Sequence, residues 1–307
     1  MMVTSFGGPE VLALVDTPVP GPGPGEVLVE VVASTVNPID LSTRSGRLVD
    51  AGLLSASQEV VGVGWDVAGY VRQVGPEVRR IAVGDPVVGL RDRLGAPGAH
   101  AEYVLLDEGA VAPAPRSVTM AEAATLPLNG LTADGCLTAT GVGRGATVLV
   151  TGAGGGVGGF VLELAAIRGI HTIGLGRRRH AESMLAKGAS HVVHAGDVAA
   201  QVREACPGGV DAVIDAANLG IDVHGALRSG GTFVTLVRPF APPPIRGTRV
   251  VVHEVWADGA RLTELSALVD AGHLTLQVAK ELPLREAATA HALVEGGGLD
   301  GRVVLTM

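Results

Sequence analysis

The feature that most constrains this chain is a glycine-rich segment, Val148-Leu-Val-Thr-Gly-Ala-Gly-Gly-Gly-Val-Gly158. It lies between a predicted buried strand over 146–151 and a predicted helix over 157–168. Small residues at such a bend let the backbone approach a pyrophosphate, whose charge is bound by N–H groups at the helix start. A glycine-rich loop alone is weak evidence. A strand, a turn, a helix and a further strand in succession favour dinucleotide binding.

Two registers of this motif are open. Gly154, Gly156 and Gly159 match the pattern G-x-G-x-x-G literally, whereas a register through Ala153, Gly155 and Gly158 places the small residues nearer the strand end. We prefer the second register. The predicted cofactor contacts of the turn are Gly152, Ala153, Gly154, Gly155, Gly156, Val157 and Gly158.

An arginine run follows the next predicted strand, which covers 171–175. A site for NAD usually has Asp or Glu here to bind the ribose hydroxyls, but this chain has Gly176-Arg177-Arg178-Arg179. Guanidinium groups bind a doubly charged 2′-phosphate in two-pronged fashion, and cations at a helix start are unfavourable unless an anion joins them. These four residues are therefore predicted to select NADPH. A solvated basic cluster is the alternative.

The order of predicted elements indicates an α/β protein with two domains. Residues 1–116 contain short valine-rich strands separated by Gly and Pro, which is typical of a barrel-like β domain. From about residue 119, strands alternate with helices, and this predicts a Rossmann-type, doubly wound parallel sheet. A last strand over 302–305 indicates that the chain returns to the first domain. We predict a β-barrel domain over 1–116 and 254–307 and a cofactor domain over 117–253.

Composition and charge exclude several other classes of protein. The net charge of −8 argues against affinity for nucleic acid or for an anionic membrane surface. No apolar run approaches the ~18–20 residues of a membrane span, so we expect a cytoplasmic protein. The chain has only Cys136 and Cys206, and its nine histidines show no HxxxH or HExxH spacing. A metal site is therefore not predicted.

Several sequence blocks in order carry a likeness to a known family. The blocks are Phe6-Gly-Gly-Pro-Glu-Val-Leu12, Asn37-Pro-Ile-Asp40, Gly64-Trp-Asp-Val-Ala-Gly69, Val83-Gly-Asp-Pro-Val87, Ala101-Glu-Tyr-Val104, Leu126-Pro-Leu-Asn-Gly-Leu-Thr-Ala133 and Gly301-Arg-Val-Val-Leu305. With these blocks the chain resembles the zeta-crystallin-like quinone oxidoreductase branch of the medium-chain dehydrogenase/reductase superfamily. The resemblance implies a GroES-like catalytic domain and a homodimer or homotetramer.

The resemblance also implies a reaction. Zinc-dependent relatives have a ligand Cys and a His-Glu pair where this chain has Asp40 and Trp65-Asp66, so the Lewis acid needed for alcohol oxidation is missing. The remaining chemistry is hydride transfer from NADPH to a quinone or to the C=C bond of a small conjugated carbonyl compound. A non-catalytic NADPH-binding protein, structural or sensing, and a non-redox biosynthetic enzyme on the same fold are the alternatives.

Residue roles carried over from the resemblance complete the predicted site. Asn37 and Thr132 are expected near the nicotinamide and its ribose, although Asn37 is otherwise a turn former and Thr132 a helix residue. Ser42 stands where many relatives have a Tyr proton donor, and a serine hydroxyl is a poor acid near neutral pH. Water or Asp40 is left as the proton source. Further expected cofactor contacts are Asp215, Leu236 and Val237, and the expected substrate loops lie near 42–57, 91–98 and 238–247.

Overall fold

The structure is a computed structural model that describes residues 1–55, 61–94 and 97–307. Residues 56–57 and 95–96 of the expected substrate loops lie outside the described residues. Strands outnumber helices in the first third of the chain, and strands alternate with helices in the middle. The strands are β1 (Met2–Val3), β2 (Leu12–Ala13), β3 (Glu26–Thr35), β4 (Val61–Gly62), β5 (Asp66–Val74), β6 (Pro86–Leu90), β7 (Tyr103–Asp107), β8 (Val111–Pro113), β9 (Thr147–Thr151), β10 (His171–Leu175), β11 (His191–Val193), β12 (Val210–Asp215), β13 (Leu227–Thr235), β14 (Arg249–Val252), β15 (Val278–Pro283) and β16 (Arg302–Thr306).

The α-helices are mostly short. None of those within the described residues has both the length and the apolar character needed to traverse a lipid bilayer. The helices are α1 (Pro38–Arg44), α2 (Arg47–Asp50), α3 (Met120–Ala123), α4 (Pro127–Thr140), α5 (Gly156–Arg168), α6 (Ala181–Ala186), α7 (Val198–Ala205), α8 (Ile221–His224), α9 (Gly259–Asp270) and α10 (Ala287–Gly296).

The chain forms two compact units. The β unit comprises Met1–Leu128 and Trp256–Met307, and the α/β unit comprises Asn129–Val255. Both chain ends therefore belong to the same unit. The predicted domain boundaries at 116/117 and 253/254 stay a prediction.

Two sheets form the β unit. The larger is mainly antiparallel and has the strand order β15-β16-β3-β5-β6-β8, and β7 also pairs with β3. The smaller is antiparallel and has the order β2-β1-β4. Valines in β3 alternate with other residues, so that Val27, Val29 and Val31 are buried together in the core. This is the GroES-like domain that the resemblance implied.

A parallel sheet of six strands forms the α/β unit. The strand order is β11-β10-β9-β12-β13-β14, which reads 3-2-1-4-5-6 when the strands are counted from the start of the unit. This is the order of dinucleotide-binding folds, in which ligands bind beyond the carboxyl ends of the strands. The predicted Rossmann-type sheet is confirmed.

Some elements differ from the prediction. The sequence pattern predicts neither the helices over Pro38–Arg44 and Val198–Ala205 nor the strand over Arg249–Val252 that the structure shows. The apolar run Thr232–Val237 predicts a strand that extends to residue 237. In the structure the ladder between β13 and β14 runs from Thr232 to Thr235, so the strand ends there. Leu236 and Val237 consequently lie in the loop that follows.

Candidate functional site

The turn between β9 and α5 lies at the carboxyl edge of the parallel sheet. Gly152 has φ of +60°, a left-handed conformation that favours glycine. The Gly155 N–H donates to the Gly152 carbonyl at 2.8 Å, which closes the turn. The Ala153 N–H donates to the Leu175 carbonyl at 3.1 Å, so the turn is held against the end of β10.

The turn opens directly into a helix N-terminus. Gly155 is the N-cap of α5, which has 13 residues. The first N–H groups of a helix have no carbonyl partner within it, and here they belong to Gly156, Val157 and Gly158. Together with the helix dipole, these N–H groups form an anion-binding geometry of the kind that seats a pyrophosphate.

Close packing distinguishes the two registers of the glycine motif. A Cβ added to Gly158 would lie 2.7 Å from the Ala153 Cα, a distance that real Cβ atoms do not adopt. A Cβ added to Gly159 would lie 3.5 Å from the Lys187 Cδ, which is ordinary contact. The position that admits only glycine is therefore Gly158, which belongs to the register through Ala153 and Gly155.

The arginine run begins beside this turn. Gly176 follows β10, and its N–H donates to the Val193 carbonyl at 3.2 Å. A Cβ on Gly176 would lie 3.7 Å from the Gly154 nitrogen, so the two glycine segments are neighbours. The side chains of residues 177–179 are exposed. The structure thus brings the predicted pyrophosphate turn and the predicted 2′-phosphate cations to one place.

Two histidines near the run were not identified from the sequence. A Cβ on Gly154 would overlap the imidazole of His180, so that ring lies against the glycine turn. His180 Nε2 accepts a hydrogen bond from Arg179 Nε at 3.0 Å. His194 Nδ1 lies 2.9 Å from the Gly176 carbonyl oxygen. The sequence signal for these two histidines was their position: His180 directly follows the arginines, and His194 directly follows β11.

Asp215 occupies the carboxyl end of β12, in register with Thr151 of β9. Its Oδ1 accepts from the Thr151 hydroxyl at 2.6 Å and from the Leu219 N–H at 3.1 Å, and its Oδ2 accepts from the Gly220 N–H at 2.7 Å. The side chain is fully buried. The carboxylate therefore orders the loop over 216–220 at the sheet edge.

Unsatisfied polar atoms also lie at this edge. Within the described part of the chain, the buried Thr235 hydroxyl at the end of β13 and the buried Asn218 Oδ1 have no hydrogen-bond partner. Buried polar groups usually have a partner, so these atoms fit a site that a polar ligand completes. Leu236 and Val237 follow Thr235, and Val237 is exposed. Thr132 is buried in α4 of the same unit.

In the β unit, Asn37 and Asp40 form the start of α1. Asn37 is the N-cap, Pro38 occupies the first turn, and the Asn37 N–H donates to Asp40 Oδ2 at 2.8 Å. Asp40 Oδ1 accepts from the Gly64 N–H at 2.7 Å. Both carboxyl oxygens are thus engaged by backbone donors, and Asp40 is 0% exposed.

The Asn37 carboxamide is held by partners that the sequence did not indicate. Its Nδ2 donates to Asp66 Oδ2 at 2.7 Å and to the Thr35 carbonyl at 3.1 Å. Its Oδ1 accepts from the Arg302 guanidinium, which also donates to the Val36 carbonyl at 3.0 Å. Asn37 is 0% exposed, so its orientation is fixed by protein groups.

Burial dominates the electrostatics of this cluster. Desolvation raises the pKa of Asp40 to about 7 and that of Asp66 to about 6. The hydrogen bonds to these carboxyl groups favour the ionised forms and lower both pKa values, but by less than burial raises them. Desolvation also lowers the pKa of Arg302, although the two carboxyl groups oppose this shift. Burial thus makes both carboxyl groups harder to ionise than exposed aspartates. Ser42, further along α1, is only half-buried.

A parallel sheet in the order 3-2-1-4-5-6, with a glycine-only helix packing site at its first turn, defines the α/β unit as a dinucleotide-binding domain. Combined with a GroES-like domain, it defines the class of two-domain nicotinamide-dependent oxidoreductases. Comparison with known proteins specifies this class further. The family description "alcohol dehydrogenase GroES-like domain" matches 23–116, and "zinc-binding dehydrogenase" matches 187–305.

Named relatives match nearly the whole chain. The 2-methylene-furan-3-one reductase of Solanum lycopersicum is 31% identical over 98% of this chain and 77% of its own length. The chloroplastic NADPH-dependent alkenal/one oxidoreductase of Arabidopsis thaliana is 30% identical over 98% of this chain and 78% of its own length. The quinone oxidoreductase structure from Coxiella burnetii superposes with a TM-score of 0.89 at 30% identity, covering 100% of this chain and 98% of that one. The chain therefore belongs to the medium-chain dehydrogenase/reductase superfamily, as predicted, and its relatives include quinone oxidoreductases and alkenal reductases.

The donor set does not fit the zinc in the second family description. Within the described ranges, no group of three or more His, Cys, Asp or Glu side chains is placed to hold a metal ion. Cys136 is buried in the α/β unit, and burial raises the pKa of its thiol, which disfavours the thiolate that zinc requires. Both oxygens of Asp40 accept from backbone N–H groups, as described above. Asp66 Oδ2 accepts from Asn37 Nδ2, and Asp66 Oδ1 accepts from the Leu128 N–H at 2.7 Å.

Proposed function

We propose that the protein is a metal-independent, NADPH-dependent reductase that passes hydride to a quinone or to the C=C bond of a small conjugated carbonyl compound. The observation that carries the proposal is the glycine turn and the arginine run side by side at the carboxyl edge of the parallel sheet. The activities by which the relatives are named, an alkenal/one oxidoreductase, a furanone reductase and a quinone oxidoreductase, support the same reaction class.

Each cofactor contact has a physical role. The N–H groups of Gly156, Val157 and Gly158 bind the pyrophosphate, while Gly152, Ala153, Gly154 and Gly155 leave the space for it. Gly176 starts the segment in which Arg177, Arg178 and Arg179 bind the 2′-phosphate. The loop ordered by Asp215, the Leu236–Val237 segment and Thr132 contact the rest of the cofactor. The bound cofactor supplies the hydride.

The residues of the β unit hold the reaction geometry. Asn37 is proposed to contribute to the nicotinamide site, with its carboxamide fixed by Asp66 and Arg302. Asp40 acts as a positioning residue, since both of its oxygens bind backbone N–H groups. The hydride acceptor also needs a proton, on the carbanion carbon or on the quinone oxygen. We assign that proton to water, which the half-buried Ser42 hydroxyl orients.

Assembly and location are part of the proposal. β14 is the edge strand of the parallel sheet, and its valines Val250, Val251 and Val252 are only half-buried. An apolar edge strand with unpaired backbone groups is a template for pairing with another strand. This feature supports a homodimer, either alone or as half of a homotetramer. The proposal further includes a cytoplasmic location, a small-molecule substrate and no nucleic-acid partner, the last supported by the net charge of −8.

The test is an activity panel that compares conjugated acceptors with NADPH against simple alcohols with NADP⁺. The protein should oxidise NADPH, followed by absorbance, in the presence of a quinone or an enone such as an α,β-unsaturated aldehyde. It should not reduce NADP⁺ with simple alcohols, and chelation of divalent metals should leave the rate unchanged. Saturable NADPH binding without turnover on any conjugated acceptor would refute the reductase and favour the non-catalytic alternative.

A further inference from the structure

We propose that His100 is a positioning residue for Asn37, and that it acts through two sets of neighbours, the Thr35 carbonyl and the Gly64–Asp40 pair. The inference rests on the proposed function, because Asn37 belongs to the reaction geometry proposed above. It adds to the site a fully buried histidine from the segment between β6 and β7.

A single carbonyl links His100 to the Asn37 side chain. The carbonyl oxygen of Thr35, at the end of β3, lies 3.3 Å from His100 Nε2 and accepts from Asn37 Nδ2 at 3.1 Å. A carbonyl oxygen has two lone pairs, so it can accept both bonds. Burial and the nearby His291 lower the pKa of His100 well below its ordinary value, so the ring is neutral. Because the carbonyl only accepts, the one ring proton is on Nε2.

The backbone of His100 lies against the segment that binds Asp40. The His100 N–H donates to the Val63 carbonyl at 2.9 Å, and the Ala99 N–H donates to the Gly64 carbonyl at 2.8 Å. The Gly64 N–H in turn donates to Asp40 Oδ1 at 2.7 Å. The hydrogen bonds from 99–100 therefore set the position of a backbone donor to Asp40.

The imidazole ring also packs on Gly64. A Cβ added to Gly64 would lie 2.5 Å from His100 Cδ2, closer than real Cβ atoms come. Gly64 has φ of +99°, a conformation that favours glycine. The other oxygen of Asp40, Oδ2, accepts from the Asn37 N–H at 2.8 Å. His100 thus acts on the Asn37 carboxamide through Thr35 and on the Asn37 backbone through Gly64 and Asp40.

A residue that only filled this space would be apolar. His100 is fully buried, and within the described part of the chain its Nδ1 has no hydrogen-bond partner. Leaving a buried nitrogen unpaired is unfavourable, so an apolar side chain would fill the space without this penalty. The ring of His291 lies edge-on at 82°, with the ring centroids 5.9 Å apart. The bond from Nε2 to Thr35 accounts for a polar ring at this position, whereas packing does not.

The expected consequence is on the rate of hydride transfer. A small displacement of a group that orients the nicotinamide lowers the rate even when the contacts that bind the cofactor are kept. A hydrogen bond of ordinary net strength corresponds to about a threefold to tenfold change in rate. Loss of the bond from His100 should therefore lower kcat by this factor and leave KM for NADPH nearly unchanged.

The first experiment compares His100→Gln with His100→Asn in NADPH oxidation with an enone. The amide nitrogen of Gln can stand near the position of imidazole Nε2, whereas that of Asn stands near the position of Nδ1. We expect His100→Gln to keep kcat within about twofold of wild type and His100→Asn to lower it about threefold to tenfold, with KM for NADPH changed less than about twofold in both. Both variants bury an amide, so a general loss of packing would affect them alike.

The second experiment is a double-mutant cycle with Asn37→Ala, measured as single turnovers so that slow variants stay measurable. In the Asn37→Ala background, His100→Asn should lower the rate by less than about twofold, because the side chain that it positions is gone. His224→Asn is the matched control, since His224 is a buried histidine of the α/β unit with its Nε2 3.1 Å from the Thr248 hydroxyl. Its effect should be the same with and without the Asn37 side chain.

Equal kcat values for the two amide variants, or full additivity of His100→Asn with Asn37→Ala, would overturn the inference and leave the reductase proposal intact. An Asn37→Ala variant with wild-type turnover would also overturn it. Wild-type protein that shows no turnover with any conjugated acceptor would overturn the reductase proposal as well.

Discussion

Replacing Arg302 by methionine tests the buried cluster around Asn37. The guanidinium is the positive group facing two buried carboxyls, Asp40 and Asp66, and it donates to the Val36 carbonyl and to Asn37 Oδ1. Removing one partner from a buried charge cluster costs about 3–5 kcal/mol. We expect a loss of that size in the unfolding free energy of the β unit at pH 8. At that pH the two carboxyl groups must either ionise without a counter-charge or bind protons at a low proton concentration.

The loss should shrink in acid. The pKa values of Asp40 and Asp66, about 7 and about 6, are raised above those of the unfolded chain. The folded protein therefore binds more protons between pH 4 and pH 7, and stability from these groups is present at low pH and lost as pH rises. Methionine at residue 302 raises both pKa values further. At pH 5 the carboxyls are mostly neutral, so only the lost hydrogen bonds remain, about 1–3 kcal/mol.

Urea unfolding at pH 5 and pH 8, followed by tryptophan fluorescence, measures this difference. The chain has two tryptophans, Trp65 and Trp256, and both belong to the β unit. Arg285→Met is the control, because Arg285 lies in the same unit, in no ion pair with Asp40 or Asp66. A loss of equal size at both pH values would refute the electrostatic reasoning and leave Arg302 as a hydrogen-bond donor only.

Three further perturbations test other parts of the account. Gly158→Ala should weaken binding of NADPH and NADH alike by about tenfold or more in a titration followed by cofactor fluorescence, because its Cβ would meet backbone atoms. Gly159→Ala should have little effect in that titration, because its Cβ would meet only the Lys187 side chain. Burial lowers the pKa of His291 to about 4, so between pH 6.5 and pH 4 the unfolded chain binds more protons at this residue than the folded chain does. The unfolding free energy of the β unit should therefore decrease as pH falls from about 6.5 through 4. His291→Gln should make the plot of unfolding free energy against pH flatter over that range than in the wild type. Asp215→Asn should raise KM for both cofactors equally, since the carboxylate orders a loop instead of reading the phosphate; an effect confined to NADPH would contradict this role.

The parallel sheet could be predicted from the sequence because its strands are continuous apolar runs. Residues 171–175 were predicted as a strand with the bounds the structure shows, and the bend after Thr151 carried its own glycine signal. The helix over Pro38–Arg44 was missed although Asn37, Pro38 and Asp40 form an N-cap, a first-turn proline and a capping box. That signal was present in the sequence, but it was interpreted only as a turn.

Other parts of the site could not be inferred from local pattern. Arg302 is 265 residues from Asn37 in the chain and Asp66 is 29 away, so their contacts with it depend on strand pairing in the folded sheet. The contact between His180 and Gly154 likewise depends on how the segment after β10 folds back over the glycine turn. Periodicity identifies the elements, whereas these side-chain contacts follow from tertiary packing.

The most direct test of the central claim is calorimetric titration of the wild-type protein and of the Arg177→Gln/Arg178→Gln double variant with NADPH and with NADH. The account predicts saturable, preferential NADPH binding by the wild type. In the double variant it predicts a large loss of NADPH affinity, up to a few kcal/mol if each guanidinium makes charge-assisted bonds, with little change for NADH. Equal losses for both cofactors, or wild-type protein that binds neither, would contradict the claim that the glycine turn and the arginine run form one NADPH site.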